Sequence, residues 1–236
     1  MTASQDLERF YRLLSELRLR VGGSRYLRDS TGKDVWPKRG VYFFLDDHEL
    51  RGTGDEHRVV RVGTHALRLG NQTTLWGRLH NHKGHEAGTH PGGGNHRGSV
   101  FRFHVGAAML IRSNEPPLLL KSWMDRKNPH PDYVEAEHEI EHRVSRYIRD
   151  LPLLWVGVSD EPGPLSDRAV LESNSIALLS TEGHTIDPPG PDWLGWSAPS
   201  EAISRSGLWN VDHVGESYDP AFLERLGDYV WETRQP

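Results

Sequence analysis

The chain has 236 residues, 36% of them apolar, a net charge of -5 and no cysteine. That composition allows an ordinary globular core and excludes disulfides, thiolate zinc sites and cysteine nucleophiles. No apolar run approaches the roughly 20 residues that cross a bilayer, and the polar stretch Met1 to Phe10 does not read as a secretory signal, so a cytoplasmic location is expected.

Gln5 to Arg20 is predicted as a helix, because Leu7, Phe10, Leu14 and Leu17 recur at helical spacing and Gly22-Gly23 stops the pattern. Ser24 to Lys38 is polar and irregular. Gly40 to Leu45 is β-branched and aromatic and predicts a strand. Asp46 to His57 reads as a charged turn, and Arg58 to Val62 as a second strand ended by Gly63, so the two suggest an antiparallel hairpin. Thr73 to Lys83 predicts a helix with Leu75, Leu79 and His82 on one face and Arg78 beside them. Gly84 to Gly98 is too rich in glycine to be regular. Ser99 to Ile111 alternates enough to predict a long strand, and Pro116 to Pro131 looks irregular. Asp132 to Arg149 predicts a helix whose acidic start and basic end suit the helix dipole. Leu153 to Val158 predicts a short strand, Ser166 to Ser180 a helix, Pro188 to Pro199 a tryptophan-bearing loop, and Asp219 to Thr233 a closing helix. No internal repeat or linker divides the chain, so a single domain over residues 1–236 is expected.

The charge is unevenly spread. Residues 1–112 carry 18 Lys/Arg against 11 Asp/Glu, and residues 113–236 carry 10 against 22. A basic half suits a phosphate backbone, while an acidic half faces away or supplies metal ligands.

Five short elements stand in a suggestive order. They are Gly40-Val41-Tyr42, Arg61-Val62-Gly63, the pair Arg78 and His82 spaced Arg-x-x-x-His, the run Arg168 to Glu172, and Trp209-Asn210-Val211. In this order they resemble the GIY-YIG nucleases, whose core is a small antiparallel sheet of three strands flanked by helices. The resemblance implies an α/β (α+β) fold with core motifs within 40–111 and 165–212 and an insertion at about 116–164. It also implies a metal-dependent endonuclease acting on DNA, in restriction, repair or defence. Arg61 stands where the second tripeptide of the family has tyrosine.

The implied chemistry is coherent. Phosphodiester hydrolysis needs an in-line nucleophile and relief of charge on the phosphate. Glu172 would hold Mg2+ or Mn2+, leaving positions for water and phosphate oxygens. Tyr42 would position the attacking water or take its proton, which needs nearby cations because a free phenol has a pKa of ~10. Arg61 and Arg78 would supply that field and bind phosphate, His82 would relay a proton, and Asn210 would fix a neighbouring group by hydrogen bonding. Taken alone, Glu172 reads as a partner of Arg168 one helical turn earlier.

Two other features compete. His138-Glu139-Ile140-Glu141-His142 matches the zinc-protease pattern, but lacks an evident third ligand and sits in an acidic run that reads as a solvated face, or as a docking surface for a protein partner. The loop Gly84 to Gly98 follows the basic helix, and its His96 and Arg97 suit phosphate contact in a segment that clamps substrate. The alternatives are a catalytically silent nucleic-acid-binding or assembly module and, less favoured, a zinc metalloprotease.

Overall fold

The computed structural model describes residues 2–52, 54, 56–84, 93–128, 130–181 and 186–233. In chain order the helices are α1 (Ala3–Arg20), α2 (Leu75–Lys83), α3 (Val100–Arg112), α4 (Pro117–Met124), α5 (Val134–Asp150), α6 (Asp167–Leu179), α7 (Glu201–Ser206) and α8 (Phe222–Glu232). The strands are β1 (Arg25–Tyr26), β2 (Gly40–Leu50), β3 (His57–Gly63) and β4 (Pro152–Gly157). Among the described residues they form one antiparallel sheet in the order β1-β4-β2-β3. This is the α/β arrangement expected, a small sheet between layers of helices. Among the described residues no helix is long and apolar enough to cross a membrane.

Strand β2 explains the layering. Every residue from Gly40 to Asp46 is buried, because both faces of the sheet are covered. Successive side chains of a strand point to opposite faces. Val41, Phe43 and Leu45 therefore join one core with α1, α6 and α8, while Tyr42 and Phe44 join another with α2, α3 and α5.

Several expectations are corrected. Ser99 to Ile111 is not a strand: it is α3 with Ser99 as its N-cap. Phe101, Phe103 and Val105 alternate, but Ala107, Ala108 and Leu110 are also buried. A helix apolar on most sides loses its periodic signature because it is enclosed. Strand β4, expected as a short strand at Leu153 to Val158, pairs with β2 from Gly40↔Gly157 to Phe44↔Leu153. The stretch 116–164, expected as an insertion, thus supplies a central strand as well as α4 and α5. Helix α4 replaces the first half of the segment expected to be irregular, with Pro117 at its first position, where a missing N–H costs nothing. Strand β2 continues to Leu50, shortening the hairpin loop.

Two details of the hairpin bear on the site. The register shifts between Phe44↔Arg61 and Leu45↔Val59, so Val60 is the extra residue of a bulge. Val59 and Val62 then share one core, whereas Val60 and Arg61 both face the side of Tyr42 and Phe44. Bulges commonly re-aim a side chain beside an active site. The glycines of the two tripeptides are also required sterically. A Cβ on Gly40 would lie 2.3 Å from the Val156 carbonyl oxygen, and one on Gly63 would lie 2.3 Å from the Tyr42 hydroxyl.

Because the Val156 backbone cannot yield without disturbing β4, Gly40→Ala is expected to destabilise the fold by about 1–3 kcal/mol. Gly54→Ala, whose Cβ meets nothing closer than 3.6 Å, serves as the control and should change stability by less than about 0.5 kcal/mol. Urea unfolding of both variants checks this.

Candidate active site

The site begins where the sheet meets α2. The hydroxyl of the fully buried Tyr42 lies 2.8 Å from His82 Nε2. His82 Nδ1 lies 3.0 Å from Ser99 Oγ, the cap of α3. Burial, reinforced by the charges of Arg78, Arg61 and Arg102, pushes the His82 pKa well below its usual value. The ring is therefore neutral at neutral pH, with one N–H and one lone pair. In the tautomer that donates to Ser99, Nε2 accepts the Tyr42 proton.

Thr74 caps α2 through the Gly77 N–H, which sets the helix so that Arg78 sits one turn before His82. Spacing of four places both on one helical face. The Arg78 pKa is raised chiefly by Tyr42, with Glu172 adding to the effect and burial opposing it. Arg61 arrives from β3 by way of the bulge. Its Nη1 donates to the Trp209 carbonyl, and its Cζ lies 4.8 Å from the centre of the Phe101 ring. Burial lowers its pKa, the Tyr42 hydroxyl and Glu172 oppose that, and Arg78 adds to it. The Nε atoms of Arg61 and Arg78 are both buried without a hydrogen-bond partner among the described residues.

Glu172 enters from α6. Its Oε1 accepts the Thr64 N–H at 3.0 Å. Burial raises its pKa, while the Thr64 N–H, Arg61, His213 and Arg78 pull it down. It does not pair with Arg168: that side chain donates to Asp160 and to the His65 carbonyl. Asn210 hydrogen-bonds to backbone of β3 rather than to a side chain of the site. Its Oδ1 accepts the Val62 N–H at 3.1 Å and its Nδ2 donates to the Val62 carbonyl at 2.9 Å. With the Trp209 N–H on the Val60 carbonyl, it completes the open edge of β3 and steadies the strand that carries Arg61.

The structure thus brings Arg61 and Arg78 within electrostatic reach of Tyr42, His82 and Glu172. A family model described as GIY-YIG domain matches residues 1–236. The chain belongs to the GIY-YIG family. Comparison with the curated proteins and with the solved structures gave no match.

The GIY-YIG family is a family of nucleases, and its members generally use divalent metals. Glu172 fits such an ion. One oxygen is anchored by Thr64, and Oε2 makes no hydrogen bond among the described residues. A half-buried carboxylate whose charge is penalised by burial gains from a cation. A hard ion that keeps most of its waters needs only one or two protein carboxylates.

His96 and Arg97 do not join this GIY-YIG site. His96 is fully buried, its Nδ1 2.9 Å from Glu141 Oε1 and its ring stacked 3.6 Å from Trp123. Arg97 pairs with Glu137 at 2.8 Å. The expectation of phosphate contact gives way to an internal hydrogen bond of His96 and an ion pair of Arg97. Residues 85–92 of the glycine-rich loop lie outside the described residues. The acidic run of α5 is a solvated face only in part: Glu135 and Glu139 are exposed, but Glu137 and Glu141 are buried. Among the described residues no three His, Cys, Asp or Glu side chains gather to hold a metal, so His138 and His142 have no third ligand there.

Three histidines near the site carry no motif. His65 follows Thr64 on the loop after β3, His104 lies one turn beyond Phe101 on α3, and His213 follows Asn210. Burial, with nearby arginines adding to it, lowers both His65 and His104 to about 4. Near pH 6.5 the unfolded chain takes up these protons, while the folded chain resists until about pH 4. Between those values the unfolded state binds more protons, so stability is highest above pH 6.5 and falls as pH drops toward 4. The urea midpoint of the wild type is expected to fall across this window, and less steeply in a His65→Asn, His104→Asn double variant. Equal slopes would show that the two rings protonate as readily in the fold as out of it.

Proposed function

We propose that the chain is a divalent-metal-dependent endonuclease that hydrolyses phosphodiester bonds of DNA. The observation that carries this reading is the pair of unpartnered guanidinium Nε atoms, on Arg61 and Arg78, beside a buried tyrosine hydroxyl and a lone carboxylate. Buried donors without partners are costly, and a phosphate oxygen satisfies them. Arginine binds phosphate through a planar fork of donors, so Arg61 and Arg78 would seat the scissile group and offset the charge that grows on it.

Tyr42 would orient the attacking water with its hydroxyl oxygen while donating its own proton in a hydrogen bond to His82 Nε2. The water's proton moves to the tyrosine oxygen as the tyrosine proton shifts to the imidazole, so no free phenolate has to form. Neutral His82 offers a lone pair to that proton and would hold it only transiently, because burial and the nearby guanidiniums disfavour the imidazolium, while Ser99 Oγ holds the opposite nitrogen. When bound at Glu172, Mg2+ or Mn2+ would supply Lewis-acid stabilisation of the leaving oxygen. The basic half of the sequence suits the DNA backbone, and the acidic half suits a surface turned away from it or toward a protein partner in a larger assembly. A cytoplasmic role in restriction, repair or defence is compatible with this chemistry.

One observation favours a second reading. Arg61 replaces the tyrosine of the second tripeptide, which suits a module that binds nucleic acid without cutting it. Cleavage of plasmid DNA in Mg2+ and in Mn2+ separates the two. The expected result is metal-dependent cleavage, reduced to background in Glu172→Gln and by roughly 10²-fold or more in Tyr42→Phe, with circular dichroism unchanged. Salt-sensitive binding without cleavage by the wild type would establish the silent module instead.

A further inference from the structure

Strand β3 delivers two segments to one place. Asn210 is bonded through both amide atoms to Val62, and Glu172 takes the N–H of Thr64, two residues further along. The chain turns sharply just beyond Asn210, and His213 adopts φ of 65°, a left-handed conformation uncommon for residues other than glycine. Such backbone strain concentrates at functional sites.

The His213 ring is oriented. Its Nδ1 lies 2.9 Å from Glu216 Oε1, while Nε2 makes no hydrogen bond among the described residues. The side chain is 37% exposed, so that nitrogen is open to an incoming ion. A carboxylate holding one imidazole nitrogen while the other faces a cation is the arrangement found around metal-bound histidines. His213 also acts electrostatically on Glu172 more strongly than Arg78 does.

We propose that His213, oriented by Glu216, is a second protein ligand of the divalent ion held by Glu172, and that this donor pair favours Mn2+ over Mg2+. The inference rests on the proposed function and deepens it. Magnesium strongly prefers oxygen ligands and dehydrates reluctantly, whereas imidazole suits softer transition ions.

The test is pulsed electron paramagnetic resonance of Mn2+ bound to the full chain, with Mn2+ and Mg2+ affinities measured by calorimetry. The wild type is expected to show nitrogen modulation from a coordinated imidazole. His213→Asn, chosen because asparagine tolerates left-handed backbone, should lose that signal and bind Mn2+ roughly tenfold or more weakly, with Mg2+ affinity changing less. Glu172→Gln should abolish binding of both ions. Mn2+ bound through Glu172 without nitrogen modulation, or with modulation that survives in His213→Asn, overturns the role of His213 and leaves the nuclease reading standing. Absence of any binding that depends on Glu172 overturns both.

Discussion

The hydrogen bond from Tyr42 to His82 joins the sheet to its helical layer inside an apolar core, and the surrounding polar groups are arranged to sustain it. A buried polar contact is tolerable only when every member is satisfied. His82 is held on its far side by the cap of α3, and its backbone carbonyl accepts from Arg102 Nη1 at 2.8 Å. Arg102 is fully buried and is neutralised by Glu141, which in turn holds His96. The chain of contacts runs from the tyrosine hydroxyl through α2 and α3 to α5. Glu141, which lies inside the zinc-protease pattern without being one of its defining residues, is thus an anchor for α2. Removing a single partner from such a buried charged set costs more than the set contributes over an apolar replacement.

Charge is concentrated by the same packing. His82, His65 and His104 are all pushed toward the neutral form, so the positive charge of the site rests on the guanidiniums of Arg61 and Arg78. Their fixed counter-charge is Glu172, whose ionised form burial disfavours. A site with two enclosed cations and one reluctant anion is poised for an added anion, and an added cation at the carboxylate then keeps the total near balance.

Much of this was legible in the sequence because it is local. The hairpin, Tyr42 on β2, Arg78 and His82 one turn apart, and Glu172 on α6 all follow from short patterns whose spacing sets direction. What stayed hidden is non-local. Helix α3 is enclosed on most sides, so its apolar residues show no helical period, and Phe101, Phe103 and Val105 mimic a strand. Strand β4 lies beside β2 only because the chain returns to it across residues 51–151. His96 and Arg97 looked exposed because glycine surrounds them, yet the acidic partners that bury them lie on α5. His213 has no motif, and its place depends on two bonds from Asn210 to Val62.

Arg61 is where family pattern and structure are reconciled. The bulge at Val60 turns it to the face of Tyr42, Trp209 takes one of its donors, and Phe101 lies against its guanidinium. A tyrosine there could share proton transfer with Tyr42. Arginine cannot, since its guanidinium stays protonated in proteins. In the proposed reaction the proton path therefore narrows to Tyr42 and His82. In that reading the substitution removes acid–base capacity and supplies fixed positive charge beside a His82 that burial and the guanidiniums keep neutral.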